Sequence, residues 1–132
     1  MVLSIYGKKI QYVIWLIFIC SLVALAYGLF RQLPPERIFE NSDKVGHFLA
    51  FLVVPFTGRL ALHQLKSMIY WSIWLILAIA LEYLQGEFRP QRHFSIADAY
   101  ANALGVITAI GCSALLNQHI EKNRAKQQGP TG

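Results

Sequence analysis

The sequence predicts an all-α, polytopic membrane protein, a bundle of four transmembrane helices, on three observations. Of its 132 residues 55% are hydrophobic and only 14% are charged, a balance that suits a lipid solvent better than a small water-soluble core. Four apolar runs, over residues 10–30, 45–62, 69–84 and 96–116, approach or reach the roughly 20 residues that a helix rising about 1.5 Å per residue needs to cross the hydrocarbon core. The runs are continuous and do not alternate with period two, which argues against a membrane barrel.

The first run follows Lys8 and Lys9, and Ala24-Leu25-Ala26 has the look of a leader-peptide cleavage site. Apolar residues nevertheless continue through Tyr27, Leu29 and Phe30 to spanning length, so a retained helix is expected. The second run opens behind Asp43, Lys44 and His47 and contains Pro55 and Gly58, which predict a kink or a frayed end. Tyr70, Trp71 and Trp74 open the third run and read as an aromatic belt at a membrane interface, while Glu82 and Gln85 close it. In the fourth, Ala97, Ala101, Gly105 and Ala109 form a stripe of small residues at helical spacing, the pattern for close helix packing. Residues 1–120 thus make one four-helix domain, and the polar, basic stretch 121–132 is expected to be a frayed cytoplasmic tail. Cys20 and Cys112 fall within apolar runs with no partner at motif spacing, and His63 and His119 fall at helix ends, facing water.

Basic residues near helix ends set the orientation of such a chain. With the N terminus in the cytoplasm, Lys8, Lys9, Arg59, Lys66, Lys122, Arg124 and Lys126 lie inside, against Arg31, Arg37, Lys44, Arg89 and Arg92 outside. Seven against five places both termini in the cytoplasm. The acidic residues sort unequally too, since only Glu121 falls inside and Glu36, Glu40, Asp43, Glu82, Glu87 and Asp98 all fall outside.

The outward side gathers the residues with chemistry. His47 lies just inside the start of the second helix, Glu82 about a turn before the end of the third, and Asp98 in the first turn of the fourth, all at similar depth. Asp43 with His47, Glu82 with Gln85, and Asp98 with Asn102 are spaced three or four apart, so each pair shares a helix face. Ionisable groups at this depth turn inward, find partners and mark function. Arg89 and Arg92 in the preceding loop offer planar forks to those carboxylates or to an anionic ligand, with Arg92 expected closer because Arg89 precedes Pro90. A plainer reading stands beside this: Ser95 and Asp98 have the spacing of a capping box, and Asn102 can serve only to bond a neighbouring helix.

The segment Asp43-Lys44-Val45-Gly46-His47-Phe48-Leu49-Ala50-Phe51, then Glu82-x-x-Gln85, Pro90-Gln91-Arg92-His93-Phe94-Ser95-Ile96-Ala97-Asp98 and Asn102-x-x-Gly105 resembles the VanZ-like family of small bacterial integral membrane proteins. The resemblance spans roughly residues 43 to 111. It implies a multi-pass protein of the bacterial cytoplasmic (inner) membrane, in a family named for a protein associated with resistance to teicoplanin, and it implies no defined molecular activity.

Three functions fit the residues. One is an enzyme acting on a lipid-linked phosphate substrate of the envelope, with Arg89 and Arg92 on the phosphate and His47, Glu82 or Asp98 in acid–base work. A second is a non-catalytic binder of an amphiphilic or anionic envelope ligand, a lipid, a lipid-linked precursor or a glycopeptide-related molecule, through Asp43, Lys44, His47, Glu82, Gln85, Arg89, Arg92, Asp98 and Asn102. A third is a structural or assembly protein in which these residues form a buried salt-bridge network. No nucleophile motif and no second histidine at ligand spacing from His47 is present, so no catalytic residue is assigned. No cofactor or nucleic acid is expected, and no metal is assigned, with a metal site built from His47 and Asp43, Glu82 or Asp98 standing only as a minor alternative. The expected partners are the lipid bilayer and an envelope lipid or lipid-linked ligand, with a second copy of the chain or another membrane protein also admitted.

Overall fold

The computed structural model describes residues 7–31, 38–88 and 93–127. They form four helices, α1 (Lys8–Phe30), α2 (Ser42–Ala61), α3 (Ser67–Phe88) and α4 (Ile96–Gln127), with no strand among the described residues. The all-α expectation holds. Helices α1, α3 and α4 are long and apolar enough to cross a membrane, whereas α2, with Asp43, Lys44, His47 and Arg59 among its 20 residues, is not.

Each helix begins and ends for local reasons. Asn41 precedes α2 in a left-handed conformation (φ 62°), which asparagine tolerates better than most residues. Its side-chain oxygen accepts a hydrogen bond from Lys44 Nζ (3.0 Å), and Asp43 puts a negative charge in the positive first turn. The helix therefore starts at Ser42, ahead of the apolar run. Of the kink or fraying expected at Pro55 and Gly58, the fraying does not occur: the helix runs on to Ala61, and the carbonyl of Pro55 accepts a hydrogen bond from the Tyr70 hydroxyl (2.7 Å). The frayed tail is likewise corrected over residues 121–127, where α4 continues to Gln127; residues 128–132 lie outside the described residues. Residues 117–127 contain no glycine or proline, and Arg124 and Lys126 meet the negative end of the helix.

Helix α2 lies at the centre, packed most closely on α4 and also on α1, while α3 lies mainly against α4. The close approach of α2 and α4 is made at Gly105, where a Cβ would stand 2.5 Å from the carbonyl oxygen of Phe48 and 2.9 Å from the backbone carbon of Phe51. The small-residue stripe works only in part: Gly105 and Ala109 are buried, but Ala97 is exposed and Ala101 half-buried. The buried stripe of α4 instead begins at Asp98 and Asn102 and runs through Gly105, Val106, Ala109 and Ser113. Tyr70, Trp71 and Trp74 are buried rather than displayed as an interfacial belt, forming the core with Phe18, Phe51, Val54 and Ala78. The i, i+4 spacing of Tyr70, Trp74 and Ala78 places them on one face of α3, and the edge of Trp74 meets Phe51 at 6.3 Å between ring centroids. On α1, by contrast, only Phe18 and Leu29 are buried, and Leu16 and Val23 are 63% and 64% exposed.

Candidate functional site

The buried stripes of α3 and α4 change character at the ends where the two helices are joined. There Glu82 (1% exposed) and Gln85 on α3 and Asp98 (3%) and Asn102 (1%) on α4 are all buried, with Glu82, Asp98 and Asn102 facing His47 of α2. Asn102 is fixed first: its amide nitrogen donates to the carbonyl of Ala78 (3.0 Å), which turns its oxygen toward His47 Nδ1 (3.0 Å). That oxygen can only accept, so Nδ1 carries the proton and donates, and in the neutral ring Nε2 holds the lone pair. His47 Nε2 stands 3.9 Å from Asp98 Oδ2, and Nδ1 stands 3.8 Å from Glu82 Oε2. These gaps are too wide for hydrogen bonds and narrow enough for ion pairs when the ring is protonated.

The start of α4 decides between a cap and a site. Ser95 Oγ accepts the backbone N–H of Asp98 (3.2 Å), so half of a capping box is present. The reciprocal bond is not made by Asp98. The N–H of Ser95 goes to Glu82 Oε1 (3.3 Å) across from α3, and the Asp98 carboxylate is turned to His47. Glu82 thus pins the α3–α4 connection while presenting its second oxygen to the histidine.

The structure brings together His47, Glu82, Asp98 and Asn102, with Gln85 one turn beyond Glu82. The Gln85 side-chain oxygen is buried without a hydrogen-bond partner among the described residues. Asp43 and His47, sharing a face of α2, line a cavity of about 510 Å³ between α1 and α2. Lys44 departs from the group, since it donates to Asn41 Oδ1 and lies 3.8 Å from Asp43, holding the start of α2. Arg89 and Arg92 lie outside the described residues. Sequence reading missed Arg31, which lines the polar end of the cavity with Asp43, His47 and Gln85, and the signal for it was its place just past α1 on the same side as the other three. The remainder of the cavity is apolar, walled by Ala24, Leu25, Leu49, Val53 and Val54, with Ser21 at its inner end bonded to Thr57 (3.2 Å). A second cavity of about 370 Å³ opens beside His63, at the other end of α2. His63 is half-buried there rather than in water.

A histidine held in one tautomer between two buried carboxylates can hold a cation or relay a proton, and the adjoining cavity offers an apolar slot with a polar mouth. Comparison with protein-family models, curated proteins and solved structures gives no match for the chain.

Proposed function

We propose that this is a multi-pass membrane protein of the VanZ-like kind, with all four helices in the bacterial inner membrane and both termini cytoplasmic, that binds an amphiphilic envelope molecule at its outward end. The cavity between α1 and α2 carries the proposal. Its volume of about 510 Å³ lies within the roughly 300–1,000 Å³ of small-molecule sites, and it is apolar along most of its length with its charged side chains at one end. A ligand of matching character is one with a hydrocarbon part along Leu25, Leu49 and Val53 and a polar or anionic head at Arg31, Asp43, His47 and Gln85. The exposed apolar side chains of α1 support lipid surroundings, because a water-facing helix leaves so wide a patch only where something covers it. Helix α2 joins the other three in the bilayer with the His47 side chain turned to Glu82, Asp98 and Asn102 of α3 and α4.

Gly28 and Gly46 line this cavity and an added Cβ at either meets no atom within 4 Å, so the side chains of Gly28→Leu and Gly46→Leu start in open space and grow into the slot. Native mass spectrometry of the protein released from membranes is expected to show a retained lipid-like adduct on the parent chain and its loss from both variants, with melting in detergent unchanged. Equal adducts on all three proteins would overturn the reading. The orientation is tested separately: a cysteine at Gln91 should label with an impermeant thiol reagent on intact spheroplasts, and one at Gln127 should not.

A further inference from the structure

The geometry points to a divalent metal site at the junction of α2, α3 and α4, with His47, Glu82 and Asp98 as ligands and Asn102 as the residue that positions the histidine. This inference does not rest on the amphiphile reading, and it departs from the sequence reading, on which no metal is assigned.

One nitrogen of His47 and one oxygen each of Glu82 and Asp98 lie within 4.8 Å of one another. Ligand atoms about 2.0–2.2 Å from a tetrahedral ion stand about 3.4 Å apart, so closing 3.9 Å between His47 Nε2 and Asp98 Oδ2 takes only a small side-chain movement.

The second observation is the state of the imidazole. A metal-binding histidine characteristically donates its other ring N–H to an acceptor that fixes tautomer and orientation. His47 does this through Nδ1 to Asn102, whose amide is itself locked to the carbonyl of Ala78 24 residues earlier. The lone pair of Nε2 is thereby aimed toward Asp98 before any ion arrives.

The third observation is Gln85. Its side-chain oxygen is 5% exposed at the residue level, lacks a hydrogen-bond partner among the described residues, and belongs to a side chain that lines the same cavity as His47. It supplies a neutral oxygen for a fourth position or for a metal-bound water. One imidazole with carboxylate and amide oxygens suits Zn²⁺ or Mn²⁺ and not a soft, thiolate-seeking ion.

The test uses the full chain, purified in detergent without a histidine tag and stripped with a chelator. Titration with Zn²⁺ followed by calorimetry is expected to give one site per chain, and Co²⁺ is expected to give visible bands of an imidazole- and carboxylate-ligated ion, displaced by Zn²⁺. His47→Gln and Asp98→Asn should abolish the site, and Asn102→Ala should weaken it by about 10- to 100-fold while leaving its stoichiometry intact. Failure of the parent chain to bind either ion would overturn the proposal, a readout that does not depend on any variant folding. So would binding that survives His47→Gln, which would mark an adventitious surface site. Loss of metal with retention of the lipid-like adduct, or the reverse, separates this site from the amphiphile cavity.

Discussion

Tyr70 and Glu82 lie on the same buried stripe of α3, about 18 Å apart along its axis, yet their surroundings are opposite in kind. Around Tyr70 the stripe packs aromatic faces and edges: Trp71 at 5.0 Å, Trp74 at 6.5 Å, and the Phe18 ring beside Gly58. Around Glu82 it holds polar groups at fixed separations, with hydrogen bonds from Ser95 to Glu82 and between His47 and Asn102. The aromatic end gains stability from dispersion over many atoms, which tolerates small rotations of a helix. The polar end gains little energy but makes its hydrogen bonds in only one register, because a helix turned by one residue would break them. One end of the bundle holds it together and the other determines how it is aligned.

Trp74→Ala should be the most damaging change, costing about 3–5 kcal/mol, since it empties the contact with Phe51 and leaves a cavity in the buried core. Chemical denaturation in mixed micelles measures it, and the change should leave any Co²⁺ spectrum of the folded fraction unaltered. A loss from the spectrum in folded protein would show that the two ends are coupled.

Gly105→Ala comes next, at about 1–3 kcal/mol, because its Cβ meets the backbone of α2 and helices must part to admit it. Gly111→Ala, where nothing lies within 4 Å, is the control and should be neutral or slightly stabilising. Gly105→Ala also separates His47 from Asp98, so it should weaken metal binding where Gly111→Ala does not. Equal melting temperatures for the two variants would refute the close approach.

Asn102→Leu should cost about 1 kcal/mol by thermal melting, the scale of one or two interhelical hydrogen bonds in a bilayer. The smallest effects on stability are expected from Glu82→Gln and Asp98→Asn, below about 1 kcal/mol each, because the amides keep shape and hydrogen-bonding capacity at both positions. If the polar end is only a structural clasp, these single changes should instead cost about 3–5 kcal/mol, and leucine at His47, Glu82 and Asp98 together should recover most of it. Melting of the singles and the triple variant side by side decides between the two.

Much of this was legible in the chain. The apolar runs at 10–30, 69–84 and 96–116 dictate helices because length and continuity of hydrophobicity are local properties, and the three- and four-residue spacings in Glu82 and Gln85 and in Asp98 and Asn102 pair those side chains on one face of any helix. The convergence of His47, Glu82 and Asp98 also followed from their equal distance to helix ends on one side of the bundle.

What no local pattern could decide was which face of each helix is inside. Tyr70, Trp71 and Trp74 have the composition of an interfacial belt, and only the space left by Gly58 and filled by Tyr70 and Phe18 makes them core. Ser95 and Asp98 have the spacing of a self-contained cap, and only the arrival of Glu82 from α3 at the Ser95 N–H leaves Asp98 facing His47. Sequence spacing specifies which groups can share a helix face, since that depends on 3.6 residues per turn alone; which partner each group meets depends on how close two backbones come, and here a missing side chain at Gly105 sets that distance.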